Sequence, residues 1–450
     1  MGLSVGFANV NITPPLGIPI GGYYQLRLAE QVLDELEARA LAVSDGRSTV
    51  LIYSVDLLEL KSAYCDPIRR KISQALDISP ERVFIACTHT HTGPQLDGDA
   101  APELRQEYFA FLGRRLADAG RLALNDVKPA RMGFGVSHAP DIAFIRRYRM
   151  KDGTIHTNPG IRNPEVVCPV GEVDDSVSVL RFDRDGGETV VVTHFAVHPD
   201  TIGGCVISAD WPGFARRAVE KSLDGVKCMV LNGAIGDVNH VNTQPSGGAM
   251  NDLKMDFDDC MRGYGHARHM GRAVAGAVMQ IYDKVEYCGE VSVDAAQKRI
   301  FCPSNRPAPE EIPNARRICE LHLSGRDNEI PFTGMQLTTV VAEAERMLEL
   351  QNGPDGFELL LSAVRVGPVA LIGIPGEPFS ETGREIKAAE TWRLALPCCC
   401  VNGYSNYFPL AKDYAEGGYE ARSSLFKAGV AETIRDECLE MLDALAAERN

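Results

Sequence analysis

The sequence is poor in the features that assign a chain quickly to a class. It has no Cys-x-x-Cys pair, which argues against a zinc site built from thiolates. Its 13 cysteines are odd in number and three are consecutive (Cys398, Cys399, Cys400), which does not read as a disulfide framework. They read instead as small buried apolar residues of a protein in a reducing cytoplasm. Long apolar runs are absent: the most apolar window, 359–375, carries Arg365 and falls short of the roughly 20 residues a bilayer crossing needs. There is no basic block, and the net charge of −15 argues against general affinity for nucleic acid or an anionic membrane. The opening residues, MGLSVGFANVNITPPLG, have neither a basic region nor a long apolar core, so no signal peptide is expected. Gly6 stands where a myristoylation signal needs Ser or Thr. No internal repeat or low-complexity segment occurs.

What is present is an ordinary globular composition, 45% apolar and 24% charged, with ample material for a large core. Length alone allows about three domains. No linker interrupts the chain, however, so a single domain spanning 1–450 is expected, with the Pro-, Asn- and charge-rich stretch 302–335 as a surface insertion or lid. Alternating apolar residues and turn signals predict strands at 6–12, 83–87 and 132–138, and near 228–231 and 395–401. Hairpins are predicted at 40–56, 177–197 and 358–375. Helical periodicity covers about 60–78, 102–125, 211–223, 256–284, 337–351, 379–390 and 423–446, whereas 151–176 has no period of its own. Strands and helices alternate, which predicts an α/β fold with a large mixed β-sheet flanked by helices.

The chain is organised around 83–95, VFIACTHTHTGPQ. On an extended chain, side chains two apart share a side, so His89 and His91 are expected to face one cavity. That pair suits a metal, or one ligand beside one acid or base; it equally suits two hydrogen-bonded loop histidines. Four more sites follow apolar strands. They are His194-Phe195-Ala196-Val197-His198 with Asp210 downstream, then 232–242 (NGAIGDVNHVN), then Pro375-Gly376-Glu377, and last Tyr404-Ser405-Asn406-Tyr407 with Tyr419-Glu420. Taken singly, each also reads as loop hydrogen bonding, a helix-starting acid or packed tyrosines.

Their order is more specific. The series T-H-T-H-T-G-P, F-A-V-H, I-S-x-D, N-x-x-G-D-V, P-G-E and Tyr-x(11)-Tyr-Glu resembles the catalytic domain of the neutral/alkaline non-lysosomal ceramidases, from about residue 6 to 424. The resemblance implies that family's fold and a zinc-dependent amide hydrolase. It implies Zn²⁺ held by His89, His198, Glu377 and Tyr407, with His91 beside the metal and Tyr419 as the second active-site tyrosine. Arg146 matches the family's active-site arginine, with Arg147 as the alternative. The residue types agree with that chemistry: imidazole, carboxylate and phenol make a nitrogen/oxygen site suited to zinc. Asp210 and Asp237 are expected to orient the ligating histidines.

The chain departs from the pattern in three places. Asn239 replaces a serine important for amide cleavage, and a carboxamide cannot act as an alkoxide. His240 is a new ionisable group beside it, a candidate for substrate binding or a second metal, and Ile145 stands where the family has Asn. The family's C-terminal immunoglobulin-like domain and secretion signal have no counterpart. The expectation is therefore a cytoplasmic zinc hydrolase cleaving an amide C–N bond in a small soluble substrate, with no nucleic-acid or membrane partner. The alternatives are a zinc or dinuclear esterase, lactonase or phosphoesterase, and a metal-dependent metabolite-binding protein without turnover. Substrate identity and oligomeric state, a homo-oligomer included, are not legible.

Overall fold

A computed structural model describes residues 2–245 and 253–447. Eight main strands form the larger sheet: β1 (Ser4–Asn11), β2 (Glu37–Ser44), β3 (Thr49–Val55), β4 (Val83–Cys87), β5 (Lys128–His138), β6 (Ser176–Arg184), β7 (Thr189–Phe195) and β8 (Val226–Asn232). Their spatial order is β8-β7-β6-β5-β1-β2-β3-β4, and a short ninth strand, Glu286–Tyr287, pairs with β5. The β3–β4 and β7–β8 pairs are parallel while β1–β2 and β6–β7 are antiparallel, so the sheet is mixed as expected. A second sheet holds β9 (Val293–Pro303), β10 (Gly356–Val366), β11 (Val369–Gly373) and β12 (Leu394–Cys398), with β11 and β12 parallel.

The period-two pattern decides how these sheets stack. Leu41 and Val43 of β2, Val50 and Ile52 of β3, and Phe84 and Ala86 of β4 share one core with Val364, Val366, Leu371 and Leu396 of the second sheet. Residues on the opposite face (Ala40, Leu51, Tyr53, Ile85) pack on Ile68 and Leu112, from helices Ser62–Leu76 and Pro102–Asn125. Val179, Val191 and Val230 pack on Trp211 and Met270, from helices Asp210–Ser222 and Tyr264–Tyr282. The outer face of the second sheet, Leu359 and Ile372 among it, is covered by Ile386, Ile434 and Leu442. The layers thus run helix, sheet, sheet, helix. A one-residue slip of β3 would exchange its two buried faces, each residue worth roughly 1.5–3 kcal/mol, so the register is firmly held.

Several elements differ from the sequence reading. The 151–176 stretch carries strands Ile155–Thr157 and Val166–Pro169 on either side of Arg147–Met150, pieces too short to show a period. The 302–335 stretch contains helix Ile312–Leu323, which packs on helix Gly334–Leu350 through Ala315, Cys319, Ala344 and Met347. The last helix begins at Val430, after Gly429 with φ +100°, and Tyr419–Ser423 is a separate short helix. All 13 cysteines are unpaired and ten are buried. Among the described residues no helix is long and apolar enough to cross a membrane.

The sheets meet at the C-terminal ends of four strands. After β12, Asn402 accepts a hydrogen bond from the Ile85 amide of β4 at 3.0 Å, and Ala86 bridges to Val401. At the other strand ends, the Cys399 amide donates to Asn232 O at 3.1 Å and the Gly236 amide to Pro378 O at 2.9 Å. Chain segments far apart in sequence are thereby delivered to one place, the C-terminal edge where α/β sheets bind ligands.

Candidate active site

The segments that follow β4, β7, β11 and β12 bring His89, His198, Glu377 and Tyr407 toward a common point. His89 follows β4 with its backbone in the left-handed region, φ +71°. It therefore meets His91 through a turn and not through strand alternation, a correction to the sequence reading; the two Nε2 atoms are 3.4 Å apart. His198 follows β7. The Nε2/Nδ1 ligand atoms of His89, His91 and His198 can all lie within 4.8 Å of one another.

Protonation is fixed by the neighbours. His89 Nδ1 lies 2.8 Å from Leu58 O, and His198 Nδ1 lies 2.9 Å from Ile235 O. A carbonyl only accepts, so each Nδ1 carries the proton and each Nε2 presents a lone pair inward. Glu377, fully buried after β11, puts Oε2 at 2.9 Å from His198 Nε2 and Oε1 at 3.4 Å from His89 Nε2. Neither His198 Nε2 nor Glu377 Oε2 has a hydrogen-bond partner among the described residues. Two such atoms facing each other at that distance are reconciled by a positive charge between them, a proton or a metal ion. Two neutral imidazoles and a carboxylate form a donor set that fits a divalent metal of the zinc type.

Electrostatics favours a neutral His89 and an ionised Glu377. Burial pulls the His89 imidazole down to about 4, against the pull of Glu377. Burial also lowers His91 well below its ordinary range. For Glu377 burial acts upward, but His89, His198 and Arg146 outweigh it and hold the carboxyl well below the usual range.

Glu377 and Tyr407 stand side by side because Glu377–Pro378 pairs in parallel with Tyr407–Phe408. The Tyr407 ring stacks on His198 with centroids 6.5 Å apart and meets Tyr419 edge-on at 5.5 Å. The Arg146 guanidinium lies 5.3 Å from the Tyr407 ring centre and 5.9 Å from that of Tyr419, held by Glu420 Oε1 at 2.6 Å and by Gly236 O at 2.6 Å. Arg147 turns away to Asp413 at 2.6 Å, so of the two arginines Arg146 faces the tyrosines. Burial pushes the Tyr419 hydroxyl up to about 12, so it is a proton donor at neutral pH.

Other candidates lie elsewhere. Asn239 gives its amide to Asn158 Oδ1 at 2.9 Å and accepts from the Val241 amide at 3.0 Å. His240 Nε2 is 2.8 Å from Met261 O. Neither residue is among those lining the cleft described below. His194 leaves the site, with Nε2 at 2.7 Å from Pro397 O, because β7 ends at Phe195 before His198 is reached. Asp210 and Asp237 do not orient the histidines. Asp210 accepts from the Thr201 and Ile202 amides at 3.0 Å each, and Asp237 accepts from the Ser380 amide at 2.6 Å and hydroxyl at 2.9 Å. Backbone carbonyls already occupy the Nδ1 positions.

The sequence reading missed several residues. The Tyr404 hydroxyl donates to Glu377 Oε1 at 2.6 Å, and its ring stacks on His89. Asp200 lies 3.6 Å from His91 Nδ1 and accepts from the Tyr23 hydroxyl at 2.6 Å. Tyr24 meets the Tyr419 hydroxyl at 3.4 Å. Gly22, with φ +101°, is required where it sits, since a Cβ there would come within 2.5 Å of His91 Nδ1. The spacing of Asp200 two residues after His198, and of Tyr404 three before Tyr407, was the available signal. The imidazoles and tyrosines open into a cleft of about 590 Å³ whose outer lining includes Leu26, Glu59, Lys61, Asp97, Arg105 and Glu345.

No family model matches the sequence. The chain is 23% identical over 443 residues to a neutral ceramidase of Mycobacterium tuberculosis, an alignment covering 85% of this chain and 66% of that protein's length. The fold is similar to the crystal structure of neutral ceramidase from Pseudomonas aeruginosa, with a TM-score of 0.74 at 17% identity over 100% of this chain and 75% of that one. It is equally similar to a ceramidase complexed with C2, with a TM-score of 0.73 at 17% identity over 100% of this chain and 76% of that one. The chain is thus similar to neutral ceramidases in sequence over most of its length and in fold over all of it.

Proposed function

We propose that the chain is a zinc-dependent hydrolase that cleaves an amide C–N bond in a small polar substrate. The observation that carries this reading is the pair of opposed acceptors, His198 Nε2 and Glu377 Oε2, at 2.9 Å in a buried site. His89, His198 and Glu377 would hold the metal, with the neighbouring Tyr407 phenol as a fourth ligand. Zn²⁺ there would supply Lewis acidity toward a carbonyl and bring the pKa of a water to about 7.

The chain's own groups divide the remaining work. His91 Nε2 faces His89 from the open side, with Asp200 near its Nδ1, which suits it to hold a proton on the attacking water or the leaving amine. Arg146 and the Tyr419 hydroxyl are placed to donate toward a developing oxyanion. Asn239 and His240 act in this reading as positioning residues beneath the site. Among the described residues one group, His89, His91 and His198, brings three ligand atoms within 4.8 Å of one another, which favours one metal over two. Polar residues in the outer cleft, the Lys61–Asp97 ion pair and Glu59 among them, favour a polar substrate over a sphingolipid.

Metal analysis of the purified chain is expected to find about one zinc per chain, lost in His198→Ala. A panel of N-acyl amines, lactones and phosphate esters is expected to show amide cleavage; turnover of a phosphate ester with no amide cleaved would overturn the proposal. A second reading, metal-dependent binding without turnover, draws on Asn239 in place of a serine. Tight binding of a product-like amine or acid, with no turnover across the panel, would select it.

A further inference from the structure

The outer cleft contains a buried cation that the proposed chemistry does not use. Arg105 is 5% exposed and lines the cleft, and among the described residues its Nε and Nη1 have no hydrogen-bond partner. Other buried guanidinium groups are matched by carboxylates, Arg146 by Glu420, Arg147 by Asp413, Arg216 by Asp56 and Arg262 by Asp200 and Asp258, while Arg27 and Arg346 donate to backbone carbonyls. Of the acids lining the same cleft, Asp97 is committed to Lys61 at 2.5 Å. Arg105 stands in the first turn of helix Pro102–Asn125, where the helix dipole also favours an anion. Its guanidinium packs against Gly98, where a Cβ would come within 3.2 Å of both Nη atoms. A buried charge with no counter-charge is costly, and a cleft-lining one is completed when an anionic ligand arrives.

We propose that Arg105 is the specificity residue for a carboxylate on the substrate, so that the amide cleaved belongs to an N-acyl amino acid or a dicarboxylic monoamide. This rests on the reading of the cleft as the substrate site of an amide hydrolase. A guanidinium fork matches a carboxylate in plane and spacing. A phosphate dianion fits less well, because a single guanidinium balances only one of its two charges and the nearby Lys61 is committed to Asp97.

The test measures binding by calorimetry and turnover in parallel on the metal-loaded chain. The probes are N-acetylglycine, its uncharged methylamide, succinic acid monomethylamide and N-acetylethanolamine phosphate. The better of the two carboxylated probes is expected to bind about 10- to 100-fold tighter than the methylamide. That ratio falls to about one in Arg105→Met and is partly kept in Arg105→Lys, which also covers a methionine variant that does not fold. Preference between N-acetylglycine and the succinic monoamide tells whether the carboxylate belongs to the amine or the acyl half. Tightest binding of the phosphate, no binding of either carboxylated probe, or a preference that survives in Arg105→Met overturns the assignment. Turnover of neutral amides without preference for the acids overturns Arg105 alone. Carboxylate-dependent binding through Arg105 with no amide cleaved keeps the anion site and removes the hydrolase reading.

Discussion

The inner and outer ends of the cleft are built on different terms. At the inner end His89, His198 and Glu377 are no more than 1% exposed, and their outward atoms are tied to Leu58 O, Ile235 O and the Tyr404 hydroxyl. At the outer end the lining comes from loops and from residues of three helices (Arg105, Leu323 and Glu345), and Leu26 and Leu323 are 65% and 83% exposed. A strand end packed between layers fixes a side chain to within the tolerance that metal binding needs, whereas loop residues vary at little cost to the core. Under the proposed function, the comparison assigns chemistry to the inner end and discrimination to the outer one.

The largest effect that would test this division comes from Glu377→Gln. The change keeps the shape and removes the charge that balances a cation. Metal content is expected to fall from about one per chain to near zero on dialysis. Activity should drop by more than the 10- to 100-fold typical of removing an orienting partner alone. The metal-free variant should also unfold no more easily than the metal-free parent, because a carboxamide N–H can donate to His198 Nε2 and relieve the facing acceptors. Elemental analysis and thermal unfolding measure both outcomes, and stoichiometric metal in the variant would erase the difference between the two ends.

Tyr404→Phe should give a smaller loss. It deletes the 2.6 Å hydrogen bond to Glu377 Oε1 and keeps the ring stacked on His89. Metal affinity is expected to fall by roughly 10- to 100-fold in a competition with a chelator. Leu323→Ala, at the exposed mouth, should leave that affinity unchanged. Equal losses in the two variants would mean that the inner end is not separately organised.

The same division sets what could be read from the sequence. His89, His198, Glu377 and Tyr407 each follow an apolar strand, so the edge they share was marked by hydrophobic pattern before any contact was known. The hairpins 40–56 and 177–197 were legible for the same reason. That the second sheet stacks face to face on the first was not, since Val364 and Leu371 would alternate identically against helices. Asp210 and Asp237 were misjudged because a strand-end acid near a histidine looks like its orienting partner, and the competing carbonyls carry no sequence signature. Arg105 could not be singled out: in an amphipathic helix it is one charge among several. Whether a charge finds a partner is a property of the folded chain.

Asn239→Ala should have the smallest effect on the metal and is informative for that reason. Its side chain bridges the Asn158 amide oxygen and the Val241 amide, joining the segment after β8 to the loop that follows Arg146. Deleting it leaves two buried partners unsatisfied, at a cost of about 1–3 kcal/mol for each group so exposed. The melting temperature should fall by several degrees while the metal content stays at that of the parent. Activity, if altered, should move through the Arg146 side of the site, as a change in kcat with KM nearly constant. Loss of metal in Asn239→Ala comparable to that in Glu377→Gln would instead make this segment part of the cradle itself. The boundary between the two ends would then have to be redrawn to run through Asn239.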